Sequence, residues 1–380
     1  YDQGGGAGLR DFWDRWCTNP LFAGGFIWVY CDEAPKRSDK GGILDSDKSN
    51  APDGVVGPRR EKEGSYYAIR AQWSPIQLKP LLITNHFDGS FLLTNEYTFT
   101  NLKDCRMSYK VLTCGTPLQG NTETGKVIAE GGVQLPSINP GETGTARFEL
   151  PDSFREGDIL ELEAFDKEGK SICNWTYPIH LVKRYFERKL TQAAPTPAPP
   201  KAEARQTADA IELKSSKVCV TFDAATGMIR HITSGETEVP FKDGPVAVGM
   251  KMRYEPSLSY TRHSSDGAIY CAKYKGAADS IVWRLTNEGL LYMDAILLNR
   301  GSGGGGFDDA FMDSQIFNLG LTFSYPEQNC SGMKWMGRGP YRVWKNRIAG
   351  TNYGIWHKDY NNTITGESFE NLIYPEFKGY

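Results

Sequence analysis

The sequence of 380 residues lacks several features that identify particular classes of protein. It contains no run of eighteen consecutive apolar residues, so no membrane-spanning helix is predicted. Its 43 Lys and Arg residues nearly balance its 46 Asp and Glu residues, and the formal net charge is -3. This balance provides no electrostatic attraction to nucleic acid or to an anionic membrane surface. We therefore predict neither a nucleic acid nor a membrane as a partner.

The eight cysteines also lack the spacing of a metal site. No C-x-x-C pair occurs among them, and their positions are 17, 31, 105, 114, 173, 219, 271 and 330. This scatter argues against a zinc site and against a compact disulfide framework. Free, mostly buried thiols are the preferred interpretation, and one or two disulfide bridges remain an alternative.

Catalytic and cofactor motifs are missing as well. The five histidines (86, 180, 231, 263 and 357) lie near no plausible Ser or Cys nucleophile, so no catalytic triad is predicted. Asp45 and Asp47 could be ligands of a hard cation, but their segment lacks the glycine and the terminal Glu of a calcium-binding loop. The run "GSGGGG" at 301–306 matches a dinucleotide-binding pattern only through its composition, because no convincing helix follows it. No metal and no cofactor is predicted for this chain.

Aromatic residues, in contrast, are abundant: 9 Trp, 19 Tyr and 18 Phe. The apolar stretch "GGFIWVYCDE" at 24–33 reads as a strand buried on both faces that ends in two carboxylates. Chain leaving such a strand is where α/β folds place their chemistry, so Trp28, Tyr30, Asp32 and Glu33 are candidates for the rim of a site. The alternative is a core Trp followed by a solvated turn. Two carboxyl groups that act on one glycosidic bond must lie on opposite sides of that bond. Adjacent residues of a strand point to opposite faces of the sheet, so Asp32 and Glu33 do not form such a pair by themselves.

Two predicted helices flank this strand. Apolar residues at helical spacing predict one helix from Leu9 to Cys17, stopped by Pro20, and a second within 61–75, stopped by Pro75. Helix, buried strand, long loop and helix are typical of the end of a (β/α)8 TIM barrel. The first residue is not Met and no signal peptide is recognisable, so we expect a piece of a longer protein.

The pattern changes to short alternating runs from about residue 75. Leu160, Leu162 and Ala164 of "DILELEAFD" are predicted to face a core while Glu161 and Glu163 face water. Residues 75–183 therefore predict an immunoglobulin-like β-sandwich.

A segment rich in Pro and Ala follows this sandwich. We interpret 184–209 as an extended interdomain linker with its Pro-rich core at 193–200, and a PxxP ligand is the alternative. More β-runs follow at 210–380. The third unit is therefore also predicted to be antiparallel β.

These segments together resemble the large β-galactosidases of glycoside hydrolase family 2. The resemblance covers nearly the whole chain, and its specific parts are "GGFIWVYCDE" and "WMGRGPYRVWKNR", with support from "GAGLRDFWDRWCTNPLFA", "APDGVVGPRREKEGSYYAIRAQWSPI", "NEYTFTNL" and "YPEFKGY". It implies that 1–74 is the incomplete end of the catalytic TIM barrel. It also implies that 75–183 is the second immunoglobulin-like domain and that 210–380 is the first part of a mutarotase-like β-supersandwich.

The resemblance also implies roles for three residues. Trp28 matches the Trp that forms an apolar wall for the glycone sugar, and Asp32 matches an acidic residue just after that strand. Asp53, with Gly54, matches an Asp-Gly or Asn-Gly in a loop that lines the sugar subsite. The family's acid/base Glu and nucleophile Glu both fall before Tyr1. No catalytic residue is therefore assigned within this chain, and Mg or Na ions are expected only in full-length relatives.

Departures from the family pattern bear on the substrate. Many members have Trp-Asp-Trp where this chain has Trp28, Val29 and Tyr30, so one side of the pocket is altered. Ala51, Pro52 and Asp53 stand where the β-glucuronidases have Asn-x-Lys, and Asp53 would repel a uronic carboxylate. A neutral glycone such as galactose is therefore favoured.

The predicted function is that of one part of a retaining exo-β-galactosidase, which hydrolyses terminal β-galactosides by double displacement. A family 2 glycosidase for another neutral sugar, or a non-catalytic carbohydrate-binding or scaffold fragment, is the alternative. The expected partners are a β-galactoside and the N-terminal remainder of the enzyme, with a homo-oligomer left open and a periplasmic or secreted location favoured. Without that remainder we expect Trp13, Trp16, Phe26 and Trp28 to be exposed.

Limited proteolysis tests the predicted domain boundaries. We expect the first cleavage in the Pro-rich segment 193–200, because an extended segment without a core is the most accessible backbone. The sandwich at 75–183 should survive as an intact product by mass spectrometry. Early cleavage between Phe91 and Phe165, with the Pro-rich segment protected, would place both the domains and the boundary elsewhere.

Overall fold

The computed structural model describes residues 8–33, 35–44, 54–57, 59–115, 125–181, 199–248, 251–297, 320–340, 343 and 348–360. The chain divides into two compact units. The first combines Tyr1–Gln192 with Ser331–Tyr380, and the second is Ala193–Cys330. Within the described residues, no helix is long and apolar enough to cross a membrane.

The first unit begins with two helices and a short hairpin: α1 (Leu9–Cys17), β1 (Lys36–Arg37), β2 (Ile43–Leu44) and α2 (Gly64–Gln72). Both predicted helices are thereby confirmed. Trp13 of α1 packs against Trp73 just after α2, with ring centroids 5.1 Å apart. Arg10 of α1 contacts two other parts of the unit. A guanidinium N–H of Arg10 donates to the carbonyl oxygen of Gln72 in α2 at 3.2 Å, and the guanidinium forms an ion pair with Glu96 at 3.6 Å. Burial raises the pKa of Glu96, and Arg10 opposes this effect.

The segment between these helices differs from its prediction. Residues 22–30 form no strand, and the exposed fractions of Phe26 and Trp28 are 106% and 74%. The prediction of a strand buried on both faces is therefore wrong. Such a strand needs hydrogen-bonded neighbours on both sides, and among the described residues only 54–57 run beside its end. The end of a TIM barrel is not seen in the described part of the chain.

The expected exposure of the aromatic residues is confirmed in most cases. Trp16, Phe26 and Trp28 are exposed. Trp13 is half-buried because the rings of Phe22 and Trp73 cover it. The region before the sandwich therefore presents several exposed aromatic rings.

The predicted β-sandwich is confirmed. Its two antiparallel sheets have the strand orders β3-β4-β7 and β6-β5-β8-β9. The strands are β3 (Ile76–Leu78), β4 (Ser90–Asn95), β5 (Arg106–Thr113), β6 (Lys126–Gln134), β7 (Thr143–Arg147), β8 (Ile159–Phe165) and β9 (Ser171–Pro178).

The core of the sandwich lies between these sheets. Leu160, Leu162 and Ala164 of β8 are buried as their alternation predicted, while the intervening Glu161 and Glu163 are only half-buried. Burial raises the pKa of Glu161, and Lys110 opposes this effect. Facing aliphatic and aromatic side chains complete the core, among them Leu93, Met107, Val111, Phe148 and Phe154. The sandwich thus closes its own hydrophobic core.

The second unit is also antiparallel β. One sheet has the order β10-β11-β12-β13-β14, another has β16-β18-β19-β20 with β17 beside β18, and β15 pairs with β21. The strands are β10 (Glu203–Gln206), β11 (Ala210–Lys214), β12 (Val218–Asp223), β13 (Ile229–Ser234), β14 (Thr237–Glu238), β15 (Lys242–Val248), β16 (Met252–Tyr254), β17 (Tyr260–Ser264), β18 (Gly267–Gly276), β19 (Ala278–Thr286), β20 (Leu291–Leu297) and β21 (Gly320–Ser324).

Aromatic packing joins the larger sheets of this unit. The ring of Phe222 on β12 lies 4.9 Å from that of Tyr270 on β18 and 5.2 Å from that of Trp283 on β19. Burial raises the pKa of Tyr270. The strand β18 shows no alternating pattern, because it is buried continuously from Gly267 to Ala272.

A final hairpin packs within the first unit. It consists of β22 (Gly332–Gly339) and β23 (Asn352–Asp359), and it carries part of the "WMGRGPYRVWKNR" motif. Ile355 packs with Cys114 and Ile159 of the sandwich region, and the backbone N–H of Tyr353 donates to Thr176 Oγ of β9. The hairpin falls in the range assigned from the sequence to a supersandwich. The assigned boundaries remain a prediction.

All eight cysteines lie in the described residues, and no disulfide links them. Cys105, Cys114, Cys173 and Cys271 are buried. Burial raises the pKa of the Cys173 thiol to about 11, which leaves it protonated and unreactive at neutral pH.

Replacing Phe154 with Ala tests the sandwich core. Phe154 is almost completely buried beside Phe87, so we expect the variant to lose about 3–5 kcal/mol in the free energy of unfolding of the sandwich. Phe99→Ala is the matched control, since 93% of the Phe99 side chain is exposed. Denaturant unfolding monitored by fluorescence would measure both. Equal shifts in the two midpoints would contradict this description of the core.

Candidate functional site

The candidate site lies where two distant segments meet. Residues 29–32 run beside residues 54–57, and Cys31 pairs in parallel with Val56. The backbone N–H of Val56 donates to the carbonyl oxygen of Tyr30 at 3.0 Å, and the N–H of Asp32 donates to the carbonyl oxygen of Val56 at 3.0 Å. Cys31 Sγ adds a contact of 3.2 Å to the carbonyl oxygen of Gly57. This short ladder fixes the position of Asp32.

Asp32 is held in a buried place at the end of the ladder. Its exposed fraction is 7%, and its Oδ1 accepts a hydrogen bond of 2.6 Å from the backbone N–H of Gly54. A Cβ at position 54 would lie 2.6 Å from Oδ1 and also 2.6 Å from the carbonyl carbon of Cys31. The position therefore requires glycine. Asp32 and Gly54, associated from the sequence with one sugar subsite, are in contact.

Two exposed aromatic rings precede this carboxylate. The exposed fraction is 74% for Trp28 and 59% for Tyr30, and the Trp28–Val29 peptide bond is cis. Exposed aromatic rings are flat apolar surfaces on which the carbon-bound hydrogens of a sugar can stack. Glu33 is exposed as well. The structure thus shows an exposed Trp28 four residues before a buried Asp32. The roles of both residues remain predictions.

The other sequence-derived candidates fall outside this geometry. Asp53, Asp45 and Asp47 lie outside the described residues. Asp32 is buried against Gly54 whereas Glu33 is exposed, so the two adjacent carboxylates do not form a facing pair. Within the described ranges, no group of three or more His, Cys, Asp or Glu side chains is arranged to hold a metal ion.

Arg60 is a residue that the sequence did not single out. Its guanidinium carbon lies 5.4 Å from the centroid of the Tyr30 ring. Arg60 lies in the turn that follows the segment 54–57. The pairing of 54–57 with 29–32 is what brings Arg60 to Tyr30. The only signal in the sequence is the basic pair Arg59-Arg60 in the predicted loop.

The ladder is connected to the sandwich through α2. Val56 also pairs with Lys62, two residues before α2 begins, and the Lys62 ammonium lies 4.9 Å from the centroid of the Tyr66 ring. Within α2, Arg70 Nε donates to the carbonyl oxygen of Ile172 at 2.8 Å. A second guanidinium nitrogen of Arg70 donates to Ser171 Oγ, also at 2.8 Å. These bonds place the helix on β9.

The loop before β23 supports α2 at a backbone contact. Gly350 has φ +78°, and an added Cβ would lie 2.7 Å from Cα of Ala68. Both the positive φ and this close approach require glycine. The hairpin therefore packs on the sandwich while its connecting loop touches the helix.

Replacing Gly54 with Ala tests the contact with Asp32. We expect faster hydrogen exchange at the amides of Asp32 and Val56, because the added methyl group must displace the backbone of 31–32. Gly25→Ala is the matched control, since no heavy atom lies within 4 Å of a Cβ built there. Unchanged exchange in the Gly54 variant would show that the two segments do not pack as described.

Comparisons with known proteins support the resemblance found in the sequence. Residues 91–175 match the family model described as "Beta-galactosidase, domain 4". A β-galactosidase of Actinobacillus pleuropneumoniae is 24% identical over 162 residues, which are 40% of this chain and 14% of that protein. The chain therefore matches only a small part of the length of this curated relative.

Two solved structures are also similar. The exo-chitosanase CsxA of Amycolatopsis orientalis is 10% identical, with 64% of this chain and 30% of that chain covered and a TM-score of 0.21. A structure from a study of the inhibition of the exo-β-D-glucosaminidase CsxA by a glucosamine-configured castanospermine is also 10% identical, with 64% and 29% covered and a TM-score of 0.19. Similarity at this level carries no conclusion about the site. The domain match confirms the resemblance of this chain to the C-terminal portion of the β-galactosidases of glycoside hydrolase family 2.

Proposed function

We propose that this chain is part of a retaining exo-β-glycosidase that releases terminal β-galactosyl units. The observation that carries the proposal is the match of residues 91–175 to a β-galactosidase domain. The contact between Asp32 and Gly54 supports it, because it joins the two segments that the resemblance assigns to one sugar subsite.

A retaining glycosidase needs two carboxyl groups on opposite sides of the scissile bond, one as nucleophile and one as acid/base. We place both in the segment that precedes this chain in the full enzyme. The chain itself then contributes binding: Trp28 stacks on the glycone, and Asp32 accepts hydrogen bonds from its hydroxyl groups. Burial against Gly54 would hold the Asp32 carboxylate in one orientation, which lowers the entropy lost when a sugar binds.

The proposed glycone is neutral. Asp53 stands in the sequence where the β-glucuronidases have a cation, and its negative charge would repel a carboxylate on the sugar. Galactose is the glycone that the domain match favours. The same arrangement would serve another neutral sugar, or a carbohydrate-binding fragment without catalysis, and these are the alternative functions.

The proposed partner is the N-terminal remainder of the same enzyme. Phe12, Leu21, Phe26 and Trp28 are exposed within a short stretch before the sandwich. Apolar surface of this extent on a soluble protein marks an interaction site. In the proposal, the missing strands of the barrel cover these side chains and complete the sugar pocket.

Activity measurements on two proteins test the proposed function. We expect the 380-residue chain alone not to hydrolyse 4-nitrophenyl β-galactoside, because both catalytic carboxylates are placed upstream. The protein that also contains the preceding segment should hydrolyse it with retention of anomeric configuration, as followed by NMR. Turnover by the purified chain alone would contradict the placement of the carboxylates. Inactivity of the longer protein towards every neutral β-glycoside would contradict the function.

Replacing Asp32 with Asn in the longer protein tests its binding role. We expect kcat/KM for the galactoside to fall about 10–100-fold, the loss of about one hydrogen bond to a charged group. Asp39→Asn is the matched control, because Asp39 is an exposed carboxylate paired with Arg37 at 2.7 Å. A loss of similar size in the control, or an unchanged kcat/KM for the Asp32 variant, would remove Asp32 from the site.

A further inference from the structure

Arg60 occupies an unusual position for an exposed arginine. Its guanidinium lies over the ring of Tyr30, which is itself largely exposed. Among the described residues, the Arg60 side chain forms no hydrogen bond and no ion pair. A guanidinium in cation–π contact with an aromatic ring keeps its N–H donors available for hydrogen bonds. The donors of Arg60 are therefore open to a ligand.

Hydrogen bonds within the turn define the backbone conformation of Arg60. Arg60 has φ 69°, in the left-handed region that residues other than glycine rarely adopt. Its N–H donates to the carbonyl oxygen of Gly57 at 2.9 Å, and the N–H of Gly57 donates to the carbonyl oxygen of Glu61 at 3.0 Å. Backbone conformations of this kind are concentrated at ligand-binding sites, where the surrounding structure maintains them.

The nearest acidic side chain in the turn has another partner. Glu61 Oε2 accepts a hydrogen bond of 2.8 Å from the backbone N–H of Arg59. The Glu61 carboxylate thus closes the turn and does not neutralise Arg60. The result is a positive charge over an exposed aromatic ring, with no carboxylate paired to it among the described residues.

This charge lies close to the proposed sugar site. Tyr30 is two residues before Asp32, which is about 7 Å along an extended chain. The carbonyl oxygen of Tyr30 accepts hydrogen bonds from Val55 and Val56, so the segment that leads into the turn of Arg60 is hydrogen-bonded to the segment that carries Asp32. A carbohydrate longer than one sugar that starts at Asp32 can therefore reach Arg60.

We propose that Arg60 binds an oxyanion, a sulfate ester or a uronic carboxylate, on the sugar unit next to the glycone. The inference rests on the proposed function, because it extends the same sugar site. The guanidinium edge presents two parallel N–H donors, which match the geometry of two oxygens of such a group. The carboxylate of Asp32 disfavours an anion on the glycone itself, so the anion belongs on the neighbouring unit. The substrate class is then an acidic β-galactoside with a neutral terminal sugar.

Binding measurements on the longer protein test this proposal. The probes carry sulfur in place of the glycosidic oxygen, so that the enzyme does not hydrolyse them during the titration. They are a neutral β-thiogalactosyl disaccharide, the same disaccharide with a sulfate ester on its second sugar, and one with a uronic acid as its second sugar. Isothermal titration calorimetry gives the ratio of the affinity for each acidic probe to that for the neutral probe. We expect Arg60→Gln to lower this ratio about tenfold for at least one acidic probe, the size expected for a charge-assisted hydrogen-bonded pair. The probe that responds identifies the anion.

Arg59→Gln is the matched control, because Arg59 carries the same charge in the same turn and its side chain contacts no aromatic ring or carboxylate among the described residues. The ratio should be unchanged in this variant, and Arg60→Lys should fall between the wild type and Arg60→Gln because lysine lacks the planar fork. Equal ratios in the wild type and Arg60→Gln, or equal losses in both Gln variants, would overturn the proposal. Hydrolysis of 4-nitrophenyl β-galactoside by the same samples reports separately on the proposed function.

Discussion

The position of the candidate site depends on the hydrogen bonds by which Arg70 holds α2 on the sandwich. The guanidinium donates to the carbonyl oxygen of Ile172 and to Ser171 Oγ, both on β9. A single charged side chain thus joins the helix to a strand about a hundred residues away. Because its partners are β-strand residues next to a closed core, the helix acquires a fixed support that its own nine residues could not supply.

Several parts of the first unit rest on this helix. Trp13 of α1 packs against Trp73 at the end of α2, and the loop at Gly350 contacts the backbone of Ala68. The chain just before α2 pairs with Val56, which fixes the Asp32 segment. Binding residues on irregular chain need such a scaffold, since hydrogen bonds of a few loop residues do not define one conformation alone.

Local patterns explain which elements could be predicted. The helices at Leu9–Cys17 and Gly64–Gln72 follow from apolar residues at helical spacing, and β8 follows from the alternation of Leu160 and Leu162 with Glu161 and Glu163. An Ala-Thr-Gly turn signal at 225–227 stands between two β-runs, and it joins β12 to β13. The strand β18 has no alternation that would identify it as half-exposed, because it is buried continuously from Gly267 to Ala272.

The sequence by itself determined the sandwich, both helices, the aromatic richness before Asp32 and the resemblance to a glycosidase family, because the pattern that predicts each of these lies in residues close together in the chain. The tertiary structure alone decided that residues 22–30 form no strand, since a strand exists only when neighbours satisfy its backbone. It alone also decided that Gly54 must lack a side chain and that the Arg60 guanidinium lies over the Tyr30 ring. These contacts join residues 22 to 30 positions apart, and no local pattern encodes such a distance.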